Sequence, residues 1–448
     1  MSAHSSQAVG SPGDRSIVGP LLFLRAGHVL SADSKAPSAP GQVVLAGERI
    51  EAVLPADAPL PPGARMIDFG PKASILPGLI DCHAHLSGSR RYQTEGASPY
   101  LRAARAARDL LSLIEAGYTS VRDLGSAIAI GLRDAVNEGT LRGPRILAAG
   151  PIISQTGGHA DLHSYPEAWV KSLDDSLLAD GVDAVRLAVR RVTRLNADVV
   201  KICTTGGVGS EFDSPHDAHY TPEEIRAATT EAHRLGRRVA AHAQGTQGVY
   251  EAVRQGVDTI EHGYYLDART ADAMAGAGVH FVPTYGLRTV YRETLAEGVD
   301  LPPWRARKQR EAMDAMERSL ELARRAGVPI ASGSDFAGMP RREHGRNARD
   351  IVALAEVLGS RGAIDAATSV AAEALGVEAQ VGRIEAGFYA DLAVFEEDPL
   401  ERIEAVLTRP VLVVQEGRVV ASRLADVPAD PLGQDALFAL TPAPSRRS

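Results

Sequence analysis

Along the middle of this chain, apolar residues gather in short, nearly unbroken runs; between the runs they recur every three or four positions. The runs are Ile75–Cys82, Thr119–Leu124, Arg145–Ala149, Val199–Cys203, Val239–Ala243, Thr259–Gly263, His280–Thr284 and Pro329–Asp335. Helical spacing occupies Tyr100–Ala116, Ala127–Glu138, Ala184–Leu195, Pro222–Leu235, Gln247–Gln255, Ala268–Ala277 and Trp304–Ala326, with further helices expected after the eighth run. Strands apolar on both faces and alternating with helices predict a parallel sheet covered on both sides. Eight such units fit an α/β fold of the (β/α)8 TIM-barrel type. A doubly wound open sheet is the alternative.

The two ends read differently. Leu21–Gly27, Gln42–Gly47 and Arg49–Leu54 are short β runs between turns, followed by a loop over 55–62. Ala390–Phe395, Ala405–Leu407 and Pro410–Val420 repeat that pattern near the other end. Neither end has the apolar surface for a core of its own, so together they predict one small β-sandwich. The expected organisation is a flexible tail over 1–17, a composite β-sandwich from 18–73 plus 382–425, a barrel over 74–381 and a C-terminal tail over 426–448.

Composition narrows the picture. The chain has 448 residues, 44% apolar and 23% charged, which suits a globular protein with one large and one smaller domain. A net charge of -8 argues against a nucleic-acid surface. No apolar run approaches the roughly 20 residues that span a bilayer. Residues 1–16 lack the charged head and apolar core of a signal peptide. Two cysteines, Cys82 and Cys203, cannot build a disulfide framework, and both are expected reduced and packed in a cytoplasmic protein.

The chemistry sits where the predicted strands end, which in a barrel is where active sites lie. The first run ends in His83-Ala-His85, and residues i and i+2 of a strand share a face, so both imidazoles project together. The fourth run carries Lys201 among apolar neighbours, the fifth ends in His242, the sixth in His262 and the eighth in Asp335. Each alone has a plain reading as a core histidine or a helix-capping aspartate. Four histidines, a lysine and an aspartate at one end of the predicted strands are hard to explain by packing. Imidazole and carboxylate are ordinary ligands of zinc and similar divalent ions. An unpaired buried ammonium is costly, and desolvation turns the Lys201 amine into a nucleophile. It suits a Schiff-base enzyme, which would leave the histidines idle. It also suits a carbamate formed with carbon dioxide, an anionic ligand able to bridge two metals, and this second reading uses every residue.

The set Pro77-Gly-Leu-Ile-Asp-Cys-His83-Ala-His85, Lys201, His242, His262 and Asp335 resembles the amidohydrolase superfamily. Ala116-Gly-Tyr-Thr-Ser-Val-Arg-Asp, Thr156-Gly-Gly-His159 and His344-Gly-Arg-Asn are similar to its branch of Xaa-Pro dipeptidases, ochratoxin-type amidases, and phenylurea and molinate hydrolases. The resemblance implies two divalent metal ions, zinc foremost, with cobalt, manganese or iron as options. His83, His85 and Asp335 would hold one ion, and His242 and His262 the other, with carboxylated Lys201 and a hydroxide between them. It implies that Asp335 is catalytic, taking a proton from water and returning it to the leaving nitrogen.

Candidate substrate contacts are His159, Gln244 and Tyr285, with Thr284 beside the last; many relatives carry Tyr or His where this chain has Gln244, a departure from the dipeptidase pattern. His216 and His219 read as solvated or lid residues. Thr204-Thr-Gly-Gly-Val-Gly-Ser lacks the lysine-serine ending of a phosphate loop and reads as a tight turn. The expected activity is cleavage of amide-type C–N bonds in small molecules. Dipeptides or N-acyl amino acids, ureas or carbamates, and cyclic amides or deamination remain open as substrates. A non-enzymatic metal-binding relative and a lysine-based aldolase are the alternatives from other classes. The expected partner is a small-molecule substrate, with no nucleic acid and no membrane, and homo-oligomers follow by analogy.

Overall fold

The structure, a computed structural model, describes residues 21–30, 37–90, 97–163, 165–172, 175–427 and 429. The tail expected over 1–17 lies outside them, as does nearly all of the tail expected over 426–448.

Five strands open the described part of the chain: β1 (Leu22–Val29), β2 (Ala39–Ala46), β3 (Arg49–Pro55), β4 (Arg65–Asp68) and β5 (Ser74–Pro77). A run of strands and helices follows, beginning β6 (Leu79–Ala84), α1 (Pro99–Glu115), β7 (Tyr118–Asp123), α2 (Ala129–Asn137) and β8 (Arg145–Ala148). Next come β9 (Ile152–Ser154), a short α3 (Glu167–Lys171), β10 (Ser176–Leu178), α4 (Val182–Arg194) and β11 (Val199–Cys203). Then α5 (Pro222–Arg234), β12 (Arg238–Ala243), α6 (Thr246–Arg254), β13 (Thr259–His262), α7 (Ala268–Ala277) and β14 (His280–Val282). Four helices complete the run: α8 (Gly286–Ala296), α9 (Pro303–Ala326), α10 (Arg349–Ala366) and α11 (Ser369–Leu375). The chain closes with β15 (Leu392–Phe395), β16 (Leu412–Gln415) and β17 (Arg418–Ser422).

Local chemistry sets many of these boundaries. Helix α5 starts at a capping box in which Thr221 and Glu224 satisfy each other's backbone N–H, with Pro222 at the first helical position. Asp267 caps α7, and Gly278 and Gly327 end α7 and α9 in the left-handed conformation that glycine adopts freely. No described helix is long and apolar enough to cross a membrane.

The described residues form a mixed α/β fold built from three sheets. One sheet runs β17-β16-β15-β5-β1-β2-β3, with β4 beside β1, and so takes strands from both ends of the chain. Two parallel sheets, β6-β7-β8 and β10-β9-β11-β12-β13-β14, take the middle. They meet on both sides. Asp198 N–H donates to Ala148 O at 2.8 Å, beside β11 and β8. The eighth apolar run lies between β14 and β6: Ala331 N–H donates to Phe281 O at 2.8 Å, and Asp335 N–H to His83 O at 2.7 Å.

Three expectations change. The first apolar run is two strands, because β5 pairs antiparallel with β15 and only β6 enters the parallel sheet. Gly78 alone separates them, and a Cβ there would lie 2.1 Å from Thr119 Oγ1, so a larger residue has no room at the crossing. Among the described residues the eighth run makes one isolated bridge, at Ile330, with another just beyond it at Phe336. Two buried carboxylates hold it instead: Asp81 accepts from Ser334 N–H (3.0 Å) and Ser334 hydroxyl (2.6 Å), and Asp350 from Gly333 N–H (3.1 Å) and Ser332 hydroxyl (2.7 Å). Finally, Ala405–Leu407 lies in a 3₁₀ turn (Ile403–Leu407), not a strand.

Gly333 tests how closely this segment packs. A methyl there would come within 2.4 Å of Val282 Cγ1 and 2.8 Å of His83 Cβ. Gly333→Ala is expected to lower unfolding stability by about 1–3 kcal/mol, the usual cost of overpacking. Urea denaturation checks it; an unchanged midpoint would mean that the segment has room to move aside.

Candidate functional site

Two periodicities deliver the site. Strand alternation brings His83 and His85 to one end of β6, while Lys201, His242 and His262 come from the neighbouring strands β11, β12 and β13. His83 lies 4.9 Å from His262 between ring centroids, and His262 lies 4.6 Å from His242. Asp335 comes from the irregular segment, with Oδ1 3.2 Å from His85 Nε2 and 3.6 Å from His83 Nε2. Among the described residues, His83, His85 and Asp335 form one group whose ligand atoms all lie within 4.8 Å of one another. Three non-glycine residues at the site, His262, Thr284 and Asp335, have φ of 75°, 49° and 55°. Such backbone strain persists only where surrounding structure enforces it, and it concentrates at functional sites.

Each imidazole is held from behind. His83 Nδ1 meets Glu261 Oε2 at 2.8 Å, His85 Nδ1 meets Gly125 O at 3.1 Å, and His262 Nδ1 meets Thr284 Oγ1 at 3.0 Å. Backing of this kind fixes the tautomer and leaves Nε2 for a metal. His242 is turned the other way, with Nε2 at 3.2 Å from Gly206 O, so its Nδ1 is the nitrogen left over. Burial lowers the affinity of His83, His242 and His262 for a proton, the first to about 4, with the Lys201 charge adding to the effect. They are neutral imidazoles at neutral pH, the form that binds metal.

Lys201 is buried, and its Nζ has no hydrogen-bond partner among the described residues. Burial pulls its pKa below the ordinary lysine value, although Glu261 opposes the fall. Asp335 is held well below the usual carboxylate range: burial acts against this, but the Arg342 guanidinium and the His85 and His83 imidazoles outweigh it. Both thiols are pushed up by burial, Cys203 to about 12, and are unreactive.

A cavity of about 360 Å³ opens over these groups, with His85, His159, His242, His262 and Asp335 in its wall. Gln244 lines it too, but its Oε1 accepts from Val208 N–H at 3.1 Å and ties down the loop after β11. His159 lines it and stacks on His242 at 3.8 Å. Tyr285 does not reach it. The positive φ at Thr284 turns the chain into α8, and the Tyr285 ring packs in the interior with the Arg288 guanidinium 5.8 Å from its centroid. Tyr264 and Tyr291 line the cavity instead. His216 packs on Tyr265 beside a second, polar cavity of about 270 Å³, and His219 is buried and lines neither cavity.

Sequence reading missed the cationic wall. Arg102, Arg105, Arg305 and Arg342 all line the cavity; Arg102 is committed to a two-point pair with Asp175 at 2.9 and 3.0 Å, and Arg342 Nη1 sits 3.6 Å from Asp335 Oδ2. Arg102 and Arg105 share α1, but Arg305 on α9 and Arg342 in a loop lie far from them in the chain, so no single motif announces the wall. Only Arg342, seven positions beyond Asp335, had a local signal.

Residues 74–420 match the model of the amidohydrolase family. The chain is 33% identical over 351 residues to an ochratoxinase from Aspergillus niger, covering 74% of this chain and 72% of that protein. A prolidase solved with N-methylphosphonate-L-proline is 34% identical, with a TM-score of 0.83 over 90% of this chain and all of that one. A Xaa-Pro dipeptidase solved with methionine in its active site is 31% identical, with a TM-score of 0.81 over 89% of this chain and 99% of that one. Similarity at this level accompanies a TIM-barrel-like α/β fold.

Proposed function

The chain belongs to the amidohydrolase family, and from that premise we propose that it is a metal-dependent hydrolase of amide-type C–N bonds in small molecules that carry a carboxylate. The two parallel sheets and the segment 329–336 are read as one closed (β/α)8 barrel, flanked by a β-sandwich that the terminal strands supply. The observation that carries the reading is the buried Lys201 amine without a hydrogen-bond partner, set beside three neutral imidazoles and an ionised aspartate. A lone ammonium is a poor tenant there. Its neutral form attacks the carbon of carbon dioxide and loses a proton, giving a carbamate. The residues that would hold two divalent ions are then His83, His85 and Asp335 for one and His242 and His262 for the other, with the Lys201 carbamate as a further anionic ligand.

Bound there, such ions supply Lewis acidity that lowers the pKa of water and polarises a carbonyl. The chain's own groups do the rest. Asp335 takes the proton of the attacking water on a carboxylate oxygen and hands it to the leaving nitrogen. Arg305 and Arg342 give the cavity its affinity for an anionic substrate end, which favours N-acyl amino acids and dipeptides over neutral ureas and carbamates. The cavity volume suits a small ligand of that size.

Initial rates of the zinc- or cobalt-loaded protein on paired panels test this. Turnover of N-acyl amino acids and dipeptides is expected; turnover confined to neutral N-aryl ureas would overturn the carboxylate preference. Lys201→Met is expected to halve the bound metal, measured by elemental analysis after dialysis. Full metal content in that variant would exclude Lys201 from the ligand set.

A further inference from the structure

Helix α9 gives the cavity a polar wall, and one group in that wall is unsatisfied. Arg305 and Gln309 both line the cavity from this helix. They stand four residues apart and so share one face of it. Gln309 is only 4% exposed, and among the described residues its Oε1 has no hydrogen-bond partner. Of the buried side-chain oxygens and nitrogens that lack a partner among the described residues, it is the one that belongs to the cavity wall. A buried amide left unpaired costs stability, and an apolar side chain of the same shape would remove that cost. Native folds rarely keep such a group without a use for it.

The preceding residue keeps the amide in place. Lys308 is buried and reaches into the loop after β11, where its Nζ donates to Gly207 O (3.0 Å), Ser210 O (2.7 Å) and Asp213 O, with Asp213 Oδ1 at 3.5 Å. Val208 and Gly209 of that loop line the same cavity. Three main-chain carbonyls of one loop thus fix the turn of α9 that carries Gln309, and the helix cannot rotate to take the amide to water. The partner of Gln309 has to come to it.

An amide oxygen accepts, so the group that answers it is a donor. Arg305, one turn earlier on the same face, serves the anionic end of the substrate in the reading above. The donor therefore belongs to the part of the substrate that carries the carboxylate, which is the amino acid released on hydrolysis. We propose that Gln309 is a specificity-determining residue that accepts a hydrogen bond from a hydroxyl or amide N–H in the side chain of that amino acid. The cavity then selects polar over apolar leaving amino acids of equal size. This selection rests on the proposed hydrolysis of N-acyl amino acids.

The test compares shape-matched N-acetyl amino acids on the zinc-loaded protein: tyrosine with phenylalanine, threonine with valine, and glutamine with methionine. The wild type is expected to favour the donor-bearing member of at least one pair by about 3–10-fold in kcat/KM, the share of one neutral hydrogen bond. Gln309→Met is expected to abolish that preference, with the loss falling on KM rather than kcat. Urea unfolding of the metal-free proteins gives a readout that does not depend on turnover. The Gln309→Met midpoint is expected at or above wild type, because no group in the fold loses a partner. A midpoint well below wild type makes Gln309 a structural residue and overturns the proposal. No preference in the wild type, or the same preference in Gln309→Met, overturns it too, while hydrolysis of N-acyl amino acids stands. No turnover of any member refutes the hydrolase reading itself, and the selection falls with it.

Discussion

Asp335→Asn is expected to fold normally, to keep most of its metal, and to lose about 10²–10⁴-fold in turnover, the usual share of a positioned acid–base group. The asparagine is isosteric and leaves a carbonyl oxygen where the carboxylate met His85 Nε2 at 3.2 Å. What it lacks is a site for a proton. Asp335 is ionised at neutral pH because Arg342 and the two imidazoles of β6 overcome the cost of its burial. It is therefore ready to receive one proton and, with cations beside it, to release it again. The measurement is kcat on the best N-acyl amino acid of the panel, alongside metal content. Near wild-type turnover would remove Asp335 from proton transfer, and lost metal with lost turnover would leave it a ligand alone.

Glu261→Gln is expected to produce the largest loss of stability. Its carboxylate is fully buried and faces three partners, His83 Nδ1 at 2.8 Å, Arg122 Nη2 at 2.7 Å and the Thr259 hydroxyl, which donates to Oε1. Arg122 is itself buried, donating to Cys82 O at 2.6 Å and to Thr259 Oγ1 at 3.2 Å, so it has no route to water. Burial works against the Glu261 charge, and Arg122 and His83 restore it. Neutralising one side of such a pair leaves the other charge uncompensated, at a cost of about 3–5 kcal/mol. Urea unfolding of metal-free protein reads this without interference from ligand binding. A midpoint equal to wild type would show that Arg122 needs no counter-charge from Glu261.

Those two residues also mark where sequence reading succeeds and where it stops. Asp335, His83, His85, Lys201, His242 and His262 were legible because each ends or interrupts an apolar run, and the period of a strand puts such residues on one rim. Glu261 stands directly before His262 but was not singled out, since its meaning depends on Arg122, which comes from a different strand. The buried pair of Asp213 and Lys308, 3.5 Å apart, likewise joins the loop after β11 to α9 with no shared motif. Helix α8 went unread because a strand signal ended just before it at Thr284, and a positive φ there is invisible in composition. The split at Gly78 was hidden by an apolar run that continues across it. Tyr285 was placed in the pocket on proximity in sequence alone, and the turn at Thr284 sends its ring elsewhere.

That split has a consequence during synthesis. Strand β5 lies between β1 and β15, with Ile75 opposite Val394, so its partner on one side leaves the ribosome long after β5 itself. Until then a nascent chain carries β5 as an open edge, a template for wrong pairing. Strand β6, with both its histidines, begins one residue further on and takes its direction from β5. Contacts this distant in sequence make folding slow and exposed to aggregation. The protein thus commits its histidine pair to a fixed geometry only after β15 has arrived to clasp it.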